Sequence, residues 1–126
     1  MENSEFKELY IEDELNKDIL RNTLTGNAKL TNQGDVLLEP NVKNTKKAIV
    51  IYLLGTKVLK IDGIKTEETE RPTDISQKTG LPIGTVKPRL RELLEEGFVK
   101  QTDDGRYYIP NYMLLKVQEL FKHKEG

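Results

Sequence analysis

The sequence predicts a mainly α fold with a small β-hairpin, an α+β class. Three observations carry the prediction. Residues 71–111 read as a short polar helix, a Gly turn, a second helix and a two-stranded hairpin in immediate succession. A strongly apolar segment, KKAIVIYLLGTKVLK, precedes them and has the pattern of a buried core helix. Amphipathic helical patterns stand at both ends of the chain.

From the N-terminus, Ser4 is placed to cap a helix running to about Leu24, with Phe6, Leu9, Tyr10, Leu15, Ile19 and Leu20 at helical spacing. Gly26-Asn27 ends it. Residues 28–38 then form a small hairpin turning at Asn32-Gln33-Gly34, and residues 40–44 are a connector. Asn44 or Thr45 starts the apolar helix, which Asp62-Gly63 ends. Gly55 inside it costs about 1 kcal/mol against Ala, so a close packing neighbour or a bend is expected there. Residues 64–71 are polar, an extended linker or a short edge strand.

Thr73 caps a short helix, Asp74 to Thr79, and Gly80 makes the turn. The following helix runs from about Ile83 to Glu96 and stops at Gly97. Strands 98–102 and 106–109 are joined by Asp103-Asp104-Gly105, a hairpin signal that lacks the rest of a calcium-loop pattern. Asn111 caps a last helix with Met113, Leu114, Val117, Leu120 and Phe121 as its apolar stripe. Residues 1–44 are thus an N-terminal extension, 45–110 the central domain, and 111–126 a terminal helix.

One internal echo runs through the chain. At an offset of 71 residues, Gly26, Lys29, Thr31 and Gly34 match Gly97, Lys100, Thr102 and Gly105. A degenerate duplication explains this, and so does turn chemistry shared by any helix followed by a hairpin.

Composition narrows the function classes. The 126 residues carry no cysteine and one histidine, His123, in a charged tail. Neither a catalytic triad, a metal-ligand spacing nor a Gly-rich phosphate loop stands out, so no enzyme, metal or cofactor is expected. The longest apolar run falls far short of the roughly 20 residues that span a bilayer, and residues 1–10 lack the pattern of a signal peptide. A cytoplasmic location is expected. Net charge is −1, but residues 1–44 hold 5 Lys/Arg against 9 Asp/Glu and residues 45–126 hold 15 against 12. A local basic face matters more for phosphate than that total.

That face is on the helix near residues 83–96. Val86, Leu90, Leu93 and Leu94 fall on one side, expected to pack on the apolar helix, with Gly84, Pro88, Arg91 and Glu95 opposite and Thr85, Lys87 and Arg89 flanking. The bases come early and Glu92, Glu95 and Glu96 come late, the reverse of what the helix dipole favours. A helix whose N-terminal half meets DNA has a reason to accept that cost. Pro88 requires either that regular helix begins near Thr85 or that the first turn is loosened. Arg91 and Thr85 are the candidates for reading bases. Ser76, Gln77 and Lys78 on the preceding helix are candidate phosphate contacts, as is Arg106 near the hairpin tip, where Asp103 and Asp104 would oppose it.

The run TDISQKTGLPIGTVKPRLRELLEEGFVKQTDDGRYYIP resembles the winged helix-turn-helix superfamily, and its Gly-Leu-Pro, Thr-Val, Leu, Leu and Glu-Gly-Phe-Val positions are similar to MarR- and ArsR-type regulators. It is also similar to small archaeal proteins of this class. The resemblance covers about residues 45–110. It implies a homodimeric transcription regulator acting on double-stranded DNA, with Thr85, Lys87, Arg89 and Arg91 on the recognition helix and Arg106 on the wing. The apolar stripes of the first and last helices also point to a homodimer. The alternative is a winged-helix protein–protein adaptor that does not bind DNA.

Overall fold

Seventeen residues, Thr45–Ile61, form the helix around which the other elements pack. The computed structural model describes Glu5, Phe6, Leu9 and residues 15–122. In order they form α1 (Lys17–Leu24), β1 (Ala28–Leu30), β2 (Val36–Leu38), α2 (Thr45–Ile61), α3 (Pro72–Thr79), α4 (Ile83–Glu95), β3 (Lys100–Gln101), β4 (Tyr107–Tyr108), a 3₁₀ turn (Asn111–Met113) and α5 (Leu114–Leu120). The fold is α+β, five helices with two small antiparallel hairpins, consistent with a winged helix-turn-helix.

α2 is buried nearly all round because α1, the first hairpin, α3 and α4 all pack on it. Ile49, Val50, Ile51, Leu53 and Leu54 are buried. Its start follows the sequence expectation: the Asn44 side chain accepts the Lys47 N–H at 3.0 Å. The close neighbour expected at Gly55 is the first hairpin. A Cβ at Gly55 would stand 2.7 and 2.8 Å from the two methyls of Val36 and 3.2 Å from Leu30 Cδ2.

α1 departs from the expected start. Ser4 lies outside the described residues, and Leu15 and Asn16 are not helical. Asn16 is extended, and its side chain accepts the Ile19 N–H at 3.1 Å, so this Asn caps the helix at Lys17. Phe6 and Leu9 are exposed, not part of a buried helical face.

α3 begins at Pro72, ahead of the expected Thr73 cap. Proline loses nothing in a first turn, where the N–H has no helical partner, and Asp74 accepts the Arg71 N–H at 3.4 Å. The second hairpin is shorter than expected: its ladder pairs Lys100 with Tyr108 and Gln101 with Tyr107, while Phe98, Val99 and Ile109 are buried in the core. It gains an edge instead. Glu70 and Tyr107 exchange backbone hydrogen bonds of 2.9 and 2.8 Å, so the segment before α3 is a one-rung edge strand on the wing.

The echo at 71 residues extends to geometry. Lys29 pairs with Leu37 and Leu30 with Val36, as Lys100 pairs with Tyr108 and Gln101 with Tyr107. Thr31 and Thr102 each accept a backbone N–H at 3.0 Å, from Asp35 and Arg106. Gly34 and Gly105 close both turns at positive φ. The surroundings differ, since one hairpin lies on α2 and the other pairs with Glu70.

Asn111 does not cap the last helix. It sits inside the 3₁₀ turn, and its side chain accepts from Lys57 Nζ at 2.7 Å. Leu114 and Val117 are buried, and Met113, Leu120 and Phe121 pack against the same core. The stripe that pointed to a partner is therefore largely covered within one chain, leaving Tyr112 and Leu115 exposed.

Candidate nucleic-acid interface

Two helices and one tight turn set the site. Ile75 is fully buried and anchors α3. Gly80 turns the chain at φ +79°, a conformation open to glycine at little cost. Two hydroxyls fasten the turn. Ser76 Oγ donates to the Leu81 carbonyl at 2.7 Å, and Thr79 Oγ1 accepts the Leu81 N–H at 3.2 Å. Ser76, expected to face phosphate, thus spends its proton on the turn. Gln77 and Lys78 are exposed, and Lys78 Nζ stands 3.8 Å from Asp35 Oδ1 of the first hairpin.

α4 has the expected two-sided character. Val86, Leu90 and Leu93 are fully buried, with Leu94 beside them, and the helix packs on α2. Gly84, Lys87, Pro88, Arg91 and Glu95 are exposed. Their spacing of 3, 4, 7 and 11 residues from Gly84 puts them on one face. Thr85 and Arg89 lie at the margins, half-buried.

Pro88 lies inside the helix, which includes Ile83 and Gly84 and does not wait for Thr85. The first turn is held by a shared acceptor. The Pro82 carbonyl takes the N–H of Thr85 at 2.9 Å and of Val86 at 3.0 Å. Lacking an N–H, Pro88 cannot bond the Gly84 carbonyl, and that carbonyl lies on the exposed face, where water can satisfy it.

The margin of α4 joins an ordinary i,i+3 helix pair to a contact that the sequence did not reveal. Arg89 pairs with Glu92 one turn on. Lys46, in the first turn of α2, stands 3.4 Å from Glu92 Oε2 and 2.6 Å from Glu96 Oε1. The hydrogen bond from Arg89, seconded by Lys46, holds the Glu92 carboxyl below the usual carboxylate range. The bond to Glu96, with Glu92 nearby, raises Lys46 above the ordinary lysine value. A pair 46 residues apart has no periodic signal in a sequence.

The wing carries less free positive charge than its composition implies. Arg106 is half-buried. Its Nε lies 3.3 Å from Asp104 Oδ2, and its Nη1 donates to the Thr69 carbonyl at 3.4 Å. Asp104 accepts from Thr102 and faces Arg106 and Arg71, in that order of effect, and these hold its carboxyl below the ordinary range. The structure therefore gathers Thr85, Lys87, Arg89 and Arg91 on one helix and turns Arg106 back onto its own hairpin.

No helix among the described residues is long and apolar enough to cross a membrane. Among the same residues no group of three or more His, Cys, Asp or Glu could hold a metal ion. Comparison with curated proteins and with solved structures gives no match. A family model does match: residues 64–103 are similar to the IclR helix-turn-helix domain, over a span that contains the edge strand, α3, α4 and β3. That similarity supports a helix-turn-helix DNA-binding transcription regulator, and does not single out the MarR or ArsR type.

Proposed function

We propose that the chain is a non-enzymatic, cytoplasmic transcription regulator that seats the N-terminal half of α4 in the major groove of double-stranded DNA. The observation that carries the reading is the exposed face of α4. Gly84 leaves the backbone open to close approach, while Lys87 and Arg91 project from the same side with no ion pair among the described residues. The opposite side is fully buried, so that face is held rigidly outward.

In this reading Arg91 and Thr85 reach base edges, Lys87 meets phosphate, and Arg89, Gln77 and Lys78 lie along the flanking backbone. Ser76 and Arg106 are secondary contacts, each already bonded within the chain. Residues 45–110 form the DNA-binding unit, with 1–44 as an extension and 111–126 as a dimerisation element that uses the exposed Tyr112 and Leu115. A homodimer would set two copies of α4 roughly 34–36 Å apart, one turn of DNA. The IclR-type similarity favours this reading over a protein–protein adaptor.

Titration with a random-sequence duplex at two salt concentrations tests it. Binding should weaken steeply as salt rises, because phosphate contacts release counterions. An absence of binding at low salt would rule the reading out, and selection from a duplex pool would then give no enriched site.

A further inference from the structure

Glu92 sits between two basic groups, one of which, Arg89, the DNA reading places along the phosphate backbone. It pairs with Arg89 along α4 and with Lys46 across from α2. Its side chain is 41% exposed and that of Arg89 37%, so both reach solvent. An exposed pair of this kind is worth little, because solvent screens it. It can therefore be exchanged for a phosphate, but the exchange is not free.

We infer that Glu92 is a positioning residue that competes with DNA phosphate for Arg89 and so keeps affinity below what the basic half of α4 would otherwise give. The inference rests on the DNA-binding reading above. Three features single out Glu92 among the acids of the helix. It alone pairs with a base from the N-terminal half of α4. Glu96 is engaged with Lys46, away from that half. Glu95 lies on the exposed face with no ion pair among the described residues.

The consequence is a trade made at one residue. With Glu92 in place, Arg89 must leave one carboxylate to meet another anion, so its contact adds little to affinity or to salt dependence. Without that charge, Arg89 meets phosphate as a free cation and releases a counterion. Lys46 stays paired with Glu96 at 2.6 Å, so the release is confined to Arg89.

The test compares duplex binding by the full chain and three variants across a salt series. Glu92→Gln should bind roughly fivefold more tightly at low salt, and its slope of log affinity against log salt should steepen by about 0.9, one added phosphate contact. Adding Arg89→Ala to Glu92→Gln should abolish both gains. Asp62→Asn, which removes an equal charge from the far end of α2 without freeing an arginine, should leave the slope unchanged. An unchanged slope in Glu92→Gln overturns the inference while the DNA reading stands. So does a gain that survives Arg89→Ala, since the effect would then be bulk charge. If the wild-type chain binds no duplex at low salt, the DNA reading itself has failed and the inference falls with it. A thermal melt of Glu92→Gln should match the wild type, because the lost pair is exposed.

Discussion

Lys57 Nζ lies 2.7 Å from Glu68 Oε1 at the base of the wing, on a lysine side chain only 3% exposed. The same ammonium donates to Asn111 Oδ1 at 2.7 Å. One buried charge thus ties α2 to the segment entering α3 and to the turn before α5. Removing one partner of a buried pair leaves the other charge without compensation, a loss of about 3–5 kcal/mol. Glu68→Ala should lie near the lower end, about 3 kcal/mol, because Glu68 is itself 17% exposed and water can reach its place. Urea unfolding measures it, and Lys57→Met/Glu68→Leu should recover part of the loss.

Gly55 answers to Val36. A methyl there would meet two buried branched methyls at 2.7 and 2.8 Å, closer than real carbon contacts allow. Overpacking costs about 1–3 kcal/mol, offset by the ~1 kcal/mol that alanine gains over glycine in a helix. Gly55→Ala should therefore lose about 1 kcal/mol. In a Val36→Ala background the obstructing methyls are gone, and the same change should be neutral or stabilising. A double-mutant cycle by urea unfolding would show no coupling if the contact were unimportant.

Pro88 is exposed and lies inside a helix that does not break there. It contributes no packing to set against the hydrogen bond it removes. Pro88→Ala should restore the bond to the Gly84 carbonyl and raise stability by about 1–3 kcal/mol. Thermal unfolding reports it as a higher midpoint. A lower midpoint would mean that the ring supports the first turn in a way its exposure does not reveal.

These positions also mark what the sequence made legible. The faces of α4 were readable because a buried helix face repeats every three to four residues, and Val86, Leu90 and Leu93 follow that rule without exception. Gly55 was readable as a close approach because glycine is costly in a helix, though nothing local named Val36 as the neighbour. The start of α1 at Lys17 is not legible because more than one good cap precedes it, and the structure uses Asn16. The Arg89–Glu92 pair has ordinary i,i+3 helix spacing, but its link to Lys46 and the inward turn of Arg106 are not readable. Charge lists show which bases exist, whereas the partners of Lys46 and Arg106 stand as far as 50 and 37 residues away.

That last point ranks the basic residues for DNA binding. Arg91 projects from the exposed face of α4 with no ion pair among the described residues, whereas Arg106 already serves Asp104 and the Thr69 carbonyl. To meet phosphate, Arg106 must first give up both bonds, and Asp104 beside it repels the same phosphate. Arg91→Ala should therefore cost about 1–3 kcal/mol of binding and relax specificity at one base pair. Lys87→Ala should weaken all duplexes evenly and lower the salt slope by about 1. Arg106→Ala should change affinity less than either, while unsettling the wing and lowering the thermal midpoint. Fluorescence anisotropy on one duplex at a series of salt concentrations gives the order, and Arg106→Ala as the largest loss would place the wing, not α4, at the centre of recognition.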